Sequence, residues 1–328
     1  MRGKPVAGIA LAAALAMGLG GCSAGAKASG AAAKAHPAAR TRKSPPPTKT
    51  VAEAAPAHVY YRDQVIILMY HGIGPQAHGD IITLAAFAGE MKALQSAGFS
   101  FVSLAQVAAF LHGGVLPPNA VCLTFDDGLE SVYTYAFPVL KTDRIPFATF
   151  LIAGRVNNFT GDLSWAQVKA MVHSGLLTVG SHTFESHGAV ASGKGTTGAA
   201  LTTHIYDLST GQTESDAHYR ARVEGDLVRA RSILQLETGQ TVKWFAYPFG
   251  AYDPAVEQML QQAGYQDAVT TWGWGTTVHA RPLALPRENA GTPKNTPSTI
   301  ADMVLYVAHL TSKDPTYQTP QEVVPNWR

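Results

Sequence analysis

Ala120-Val121-Cys122-Leu123-Thr124-Phe125-Asp126-Asp127-Gly128 is the stretch that decides how the chain is read. A mostly apolar run goes straight into two adjacent carboxylates and a glycine. Like charges that close resist joint ionisation, and a cation or a hydrogen-bond donor resolves the conflict. Asp-Gly after alternating apolar residues is also a hairpin signal. The next residues argue against a hairpin: Ser131, Val132, Tyr135, Ala136, Val139 and Leu140 recur at helical spacing. The stretch therefore reads as strand, acidic loop, helix. In α/β proteins that kind of loop is where chemistry sits.

The same alternation continues on both sides. Val65–Tyr70 is a short apolar run suited to a parallel strand. Phe87, Met91 and Leu94 come next at helical spacing as far as Gly98, and Phe99–Val102 is a short strand. Ser103 caps a helix that Gly113-Gly114 ends. Beyond the acidic strand, Pro146–Ile152 and Leu176–Gly180 are strands, separated by a helix capped by Ser164. Residues 188–216, rich in Gly, Ser and Thr, read as a long surface loop, and 219–237 as a charged amphipathic helix. Val242–Ala246, a helix begun by Asp253-Pro254, and the short strands Asp267–Thr270 and Leu283–Leu285 complete the series. Seven or eight strands alternating with helices, without a glycine-rich dinucleotide fingerprint, predict a parallel α/β barrel.

Composition sets the outer limits. The chain has 328 residues, 46% hydrophobic and 15% charged, with two cysteines, Cys22 and Cys122, so a disulfide framework is not expected. The formal charge is +2, but residues 1–57 alone carry eight basic residues against Glu53, a net +7, which leaves −5 for the remainder. An acidic domain is a poor match for nucleic acid.

The start of the chain reads as targeting rather than fold. Arg2 and Lys4 precede a small apolar run, Val6–Leu19, too short to span a membrane comfortably. Leu19-Gly20-Gly21-Cys22 resembles the lipobox of bacterial lipoproteins, which implies cleavage before Cys22 and a lipid on its thiol and new amino group. Residues 1–22 are thus expected to be a lipoprotein signal and 23–57, rich in Ala, Pro and Lys, a disordered tether. The protein is expected on the extracellular face of a bacterial membrane, or secreted if Cys22 carries no lipid.

The polar residues that stand out collect at the carboxyl ends of predicted strands: His71, Asp126, Asp127, His182, His187, Tyr247-Pro248-Phe249-Gly250 and Arg287. In a parallel barrel these ends share one rim. His182 and His187, five apart, do not share a helix face, but a loop can fold both imidazoles toward one point. With Asp127 they make a two-histidine, one-carboxylate set suited to zinc or another divalent first-row metal. Trp272, Trp274, Tyr247 and Tyr252 are candidate aromatic faces for a ligand, with core packing as the alternative.

These motifs resemble the polysaccharide deacetylases, the NodB-homology domain of carbohydrate esterase family 4. Thr124-Phe125-Asp126-Asp127-Gly128 matches the first family motif. Ser181-His182-Thr183-Phe184-Glu185-Ser186-His187 looks like the second, H-[ST]-x-x-H, with one residue more between the histidines. Phe245-Ala246-Tyr247-Pro248-Phe249-Gly250 is similar to the third, R-x-P-[FY], with Ala246 in the place of its arginine. These departures, with Met69-Tyr70-His71, resemble the biofilm branch that deacetylates poly-β-1,6-N-acetylglucosamine. The resemblance covers roughly residues 62–290. It implies a distorted (β/α)7 barrel and an extracellular N-deacetylase that releases acetate from N-acetylglucosamine units. It implies Asp127, His182 and His187 as ligands of a divalent cation, zinc foremost, with cobalt, nickel or manganese as alternatives. Asp126 becomes the general base, His71 the general acid and the main-chain N–H of Phe249 an oxyanion donor. Arg287 stands in for the missing arginine and orients Asp126, unless it is a structural ion pair. Peptidoglycan or chitin deacetylation and xylan ester hydrolysis would use the same residues. The remaining alternative is a non-catalytic glycan-binding lipoprotein.

Overall fold

In a computed structural model the chain is described over residues 58–323, together with the backbone of Asn326 and Trp327. The lipoprotein signal at 1–22 and the tether at 23–57 lie outside the described residues.

Seven parallel strands form the frame: β1 (Val65–Tyr70), β2 (Ala120–Phe125), β3 (Phe147–Leu151), β4 (Leu177–Ser181), β5 (Trp244–Ala246), β6 (Asp267–Val269) and β7 (Glu288–Asn289). They lie side by side in the order β6-β5-β4-β3-β2-β1-β7. The segment through β7 reaches both edges of the curled sheet. Leu285 bridges to Val269 on one side, and Glu288 and Asn289 pair with Leu68 and Met69 on the other. This is the parallel barrel expected from the alternation, in the distorted (β/α)7 form that the resemblance implies. β1, β2 and β3 are buried along their whole length, because helices cover one face and the barrel interior the other. That two-sided burial is why these strands read as continuous apolar runs.

The helices between and after them are α1 (Leu84–Ser96), α2 (Leu104–Leu111), α3 (Phe137–Thr142), α4 (Trp165–His173), α5 (Asp216–Thr238), α6 (Pro254–Gln262) and α7 (Ile300–Lys313). Ser103 and Ser164 each close a capping box, with Gln106 and Gln167. Asp253 accepts from the Val256 amide at 2.8 Å, with Pro254 at the first helical position. Before α3 the chain makes a π turn, Val132–Ala136, in which the Phe137 N–H reaches back to the Val132 carbonyl. The next residue, Pro138, has no N–H to offer, and the shift in hydrogen-bond register falls where regular bonding is interrupted.

One expectation is corrected. Residues 188–216 are not a plain loop. Ala189–Gly193 and Thr196–Ala199 form a hairpin, joined through Thr196–Ala199 by the backbone of Asn326–Trp327, and Tyr206–Asp207 pairs with Gln212–Thr213. The strands are short and carry small residues, so they lack the apolar alternation by which a strand is read from sequence.

Candidate metal centre and catalytic cleft

Register assembles the site. β1 and β2 pair in step from Val65↔Ala120 to Tyr70↔Phe125, so the residues just past them, His71 and Asp126, emerge side by side. Leu151 of β3 pairs with Ser181 of β4, and Phe245 of β5 pairs with the same Ser181. His182 therefore leaves its strand next to Ala246, whose carbonyl lies 2.7 Å from the His182 Nδ1. A ring nitrogen donating to a carbonyl fixes the tautomer and leaves Nε2 with its lone pair toward the cleft. Burial pushes the His182 imidazole down to about 4, which keeps it neutral and able to act as a ligand.

Asp127, His182 and His187 each present a ligand atom within 4.8 Å of the others. The Asp127 Oδ1 is 3.5 Å from the His182 Nε2 and 3.2 Å from the His187 Nε2, and it is buried without a well-formed hydrogen bond among the described residues. A buried carboxylate oxygen left without a donor, facing two imidazole nitrogens, is the arrangement a divalent cation completes. The residues present fit a two-histidine, one-carboxylate metal site.

Asp126 lies beside this triad, 2% exposed. The guanidinium of Arg287, itself fully buried, grips it in fork geometry: Nη1 to Oδ1 at 2.7 Å and Nη2 to Oδ2 at 2.6 Å. Two further N–H groups of Arg287 reach the Thr124 hydroxyl at 3.1 Å and the Thr270 carbonyl at 2.8 Å. Burial works to raise the Asp126 pKa, but the Arg287 charge and its hydrogen bonds outweigh it and hold the carboxyl below its ordinary value. Arg287 thus fixes both oxygens of the Asp126 carboxylate.

His71, Asp126, Asp127, His182, His187 and Phe249 line one cleft of about 370 Å³. His71 is half-buried, and among the described residues its Nδ1 has no hydrogen-bond partner. Phe249 packs on His187 with ring centroids 4.9 Å apart. Asp127, Thr183 and Phe249 all hold left-handed backbone, at φ 71°, 76° and 59°. Such conformations cost non-glycine residues about 1–3 kcal/mol each and persist where surroundings enforce them. Gly250 beside Phe249 has φ 67°, and a Cβ there would fall 2.2 Å from the Thr271 hydroxyl oxygen, so the turn that aims Phe249 requires glycine.

Of the two readings open for Tyr247 and Tyr252, packing is the one observed. Tyr247 and Tyr252 are completely buried and bond through their hydroxyls to the carbonyls of Leu283 and Pro320. They pack the wall and offer no face to a sugar. Trp272 is 42% exposed, and Trp274 packs against Tyr317 with ring centroids 4.4 Å apart. The sequence reading missed Asp80, Thr271 and Asn289 on the cleft wall. Asn289 was findable, since it ends a strand two residues after Arg287. Asp80 sits in an irregular loop with no pattern to mark it.

The sequence profile of the polysaccharide deacetylase family matches residues 113–268. The solved structure of IcaB from Ammonifex degensii superposes with a TM-score of 0.58 at 30% identity, covering 75% of this chain and 97% of that one. The poly-β-1,6-N-acetyl-D-glucosamine N-deacetylase of Escherichia coli K12 is 30% identical over 188 residues, 52% of this chain. The enzyme of that name from Staphylococcus aureus MRSA252 is 24% identical over 210 residues, 63% of this chain and 66% of its own length. Fold, site and likeness agree, and the chain belongs to the polysaccharide deacetylase family. It spans 28% of the length of the Escherichia coli relative.

Proposed function

We propose that this chain is a metal-dependent N-deacetylase of N-acetylglucosamine polysaccharide, of the poly-β-1,6-linked kind named for its relatives. The observation that carries the reading is the convergence of Asp127, His182 and His187 within 4.8 Å, beside an Asp126 clamped by Arg287 in one cleft.

Asp127, His182 and His187 would hold the cation, zinc being the first choice for this donor set. When bound, it supplies Lewis acidity that polarises the amide carbonyl and makes water a better acid. Asp126, kept ionised by Arg287, takes the proton from the attacking water. The main-chain N–H of Phe249 steadies the oxyanion as the carbonyl becomes tetrahedral. The amine leaves only when protonated, and His71 on the cleft wall delivers that proton. The products are acetate and a glucosamine unit.

The proposal extends to location. Among the described residues no helix is long and apolar enough to cross a membrane. Leu19-Gly20-Gly21-Cys22 supports a lipid anchor on Cys22, with the catalytic unit tethered at the extracellular face. The test is acetate and free-amine release from β-1,6- and β-1,4-linked N-acetylglucosamine oligomers, peptidoglycan and acetylxylan, with and without chelator. Release from the β-1,6 oligomers, abolished by chelation and restored by zinc, is the expected outcome. No release from any of the four contradicts the proposal.

A further inference from the structure

The two histidines of the triad are held in different ways. His182 is fixed by the sheet: its amide donates to the Leu151 carbonyl at 2.8 Å and its ring is bonded to Ala246. His187 lies beyond four intervening residues, and its ring touches Asp127, His182 and Phe249. Its position therefore comes from the backbone of the loop Thr183–Ser186.

That loop is clamped from two sides. On one, the Thr183 and Phe184 carbonyls accept from the amides of Ala153 and Gly154 at 2.9 and 3.0 Å, just beyond β3. On the other stands a single side chain, Asp226 of α5. Its Oδ1 accepts from the Phe184 amide at 2.8 Å, and its Oδ2 from the amides of Glu185 and Ser186 at 2.8 and 3.0 Å. Three consecutive N–H groups pointing at one carboxylate curl the chain tightly and turn it back toward the cleft. Arg229, one turn along α5, lays its guanidinium 3.7 Å from the centre of the Phe184 ring.

We propose that Asp226 is a positioning residue for the metal centre: by gathering the amides of Phe184, Glu185 and Ser186 it sets the separation of His182 and His187. The proposal rests on the metal-site reading. It also gives the 188–216 insertion a part. Tyr219 donates its hydroxyl to the Leu201 carbonyl at 2.7 Å, and Arg222 donates to the Ala200 and Thr203 carbonyls at 2.8 and 2.9 Å. The insertion thereby braces the stretch of α5 that carries Asp226. A neutral isostere cannot do the same work. Asparagine offers one acceptor oxygen, and its NH2 would face an N–H it cannot accept from.

The test is zinc affinity, by competition with a chromogenic chelator, and the visible absorption of the cobalt(II) form, for wild type, Asp226→Asn and Asp226→Glu. Groups that orient metal ligands change affinity by about 10- to 100-fold when replaced. Asp226→Asn is expected to bind zinc weaker by about that factor and to show an altered cobalt band while remaining folded by circular dichroism. A purely structural role would lower the melting temperature and leave affinity and spectrum unchanged, and that result overturns the proposal. If Asp226→Asn does not fold, Asp226→Glu decides. It keeps the charge but displaces it by one methylene, and affinity equal to wild type overturns the proposal. Wild type that binds no zinc would instead refute the metal-site reading itself.

Discussion

Glu90 offers a test of the fold beneath the cleft. It sits on α1, fully buried, and accepts a 2.9 Å hydrogen bond from the hydroxyl of Tyr70, the last residue of β1 before His71. Its other carboxylate oxygen has no hydrogen-bond partner among the described residues. Burial raises its pKa from 4.5 to about 7, with the Tyr70 bond working the other way. The folded state therefore binds a proton that the unfolded state has released between those two values. Stability from this group is complete below pH 4.5 and falls as pH rises through about 7. At about 1.4 kcal/mol per pH unit, the loss reaches about 3 kcal/mol on the alkaline side. Glu90→Gln imitates the protonated acid and keeps an acceptor for Tyr70, so it removes this dependence. Urea unfolding of both proteins from about pH 4 to about pH 9 measures it. The curves are expected to meet near the acid end and to separate by about 3 kcal/mol at the alkaline end, the variant being the more stable. Parallel curves, or a variant less stable at the alkaline end, would refute the reasoning.

Arg287→Met leaves the Asp126 carboxylate buried without its partner. It is expected to cost about 3–5 kcal/mol in urea unfolding and nearly all deacetylation, and a loss under about 1 kcal/mol would contradict the clamp. Cys22→Ala is expected to move the protein from the membrane fraction to the soluble fraction of the producing cells. A variant that stays membrane-bound would remove support for the lipid anchor.

Much of the frame was legible in the sequence because β1, β2 and β3 are buried on both faces and so appear as unbroken apolar runs. The rim was legible because strands in a parallel barrel end together, which turns residues as distant as His71, Asp126, His182 and Arg287 into neighbours. Arg287 could be placed beside Asp126 only by resemblance, since no local pattern marks a pair 161 residues apart. Tyr247 and Tyr252 were ambiguous for a physical reason: an aromatic residue at a strand end can face the cleft or the core, and only packing decides. Asp226 was out of reach. On a charged helix it looks like any solvated acid, and its partners are backbone amides, which no side-chain pattern encodes. The hairpin at 189–199 escaped because its small residues carry no period.

The central claim is tested most directly by metal content after purification and dialysis against zinc, for wild type, His182→Ala and Asp126→Asn, with acetate release measured on the same samples. The account predicts one equivalent of zinc in wild type and in Asp126→Asn, little or none in His182→Ala, and acetate from wild type alone. Zinc retained in full by His182→Ala, or acetate released by Asp126→Asn at the wild-type rate, would contradict it.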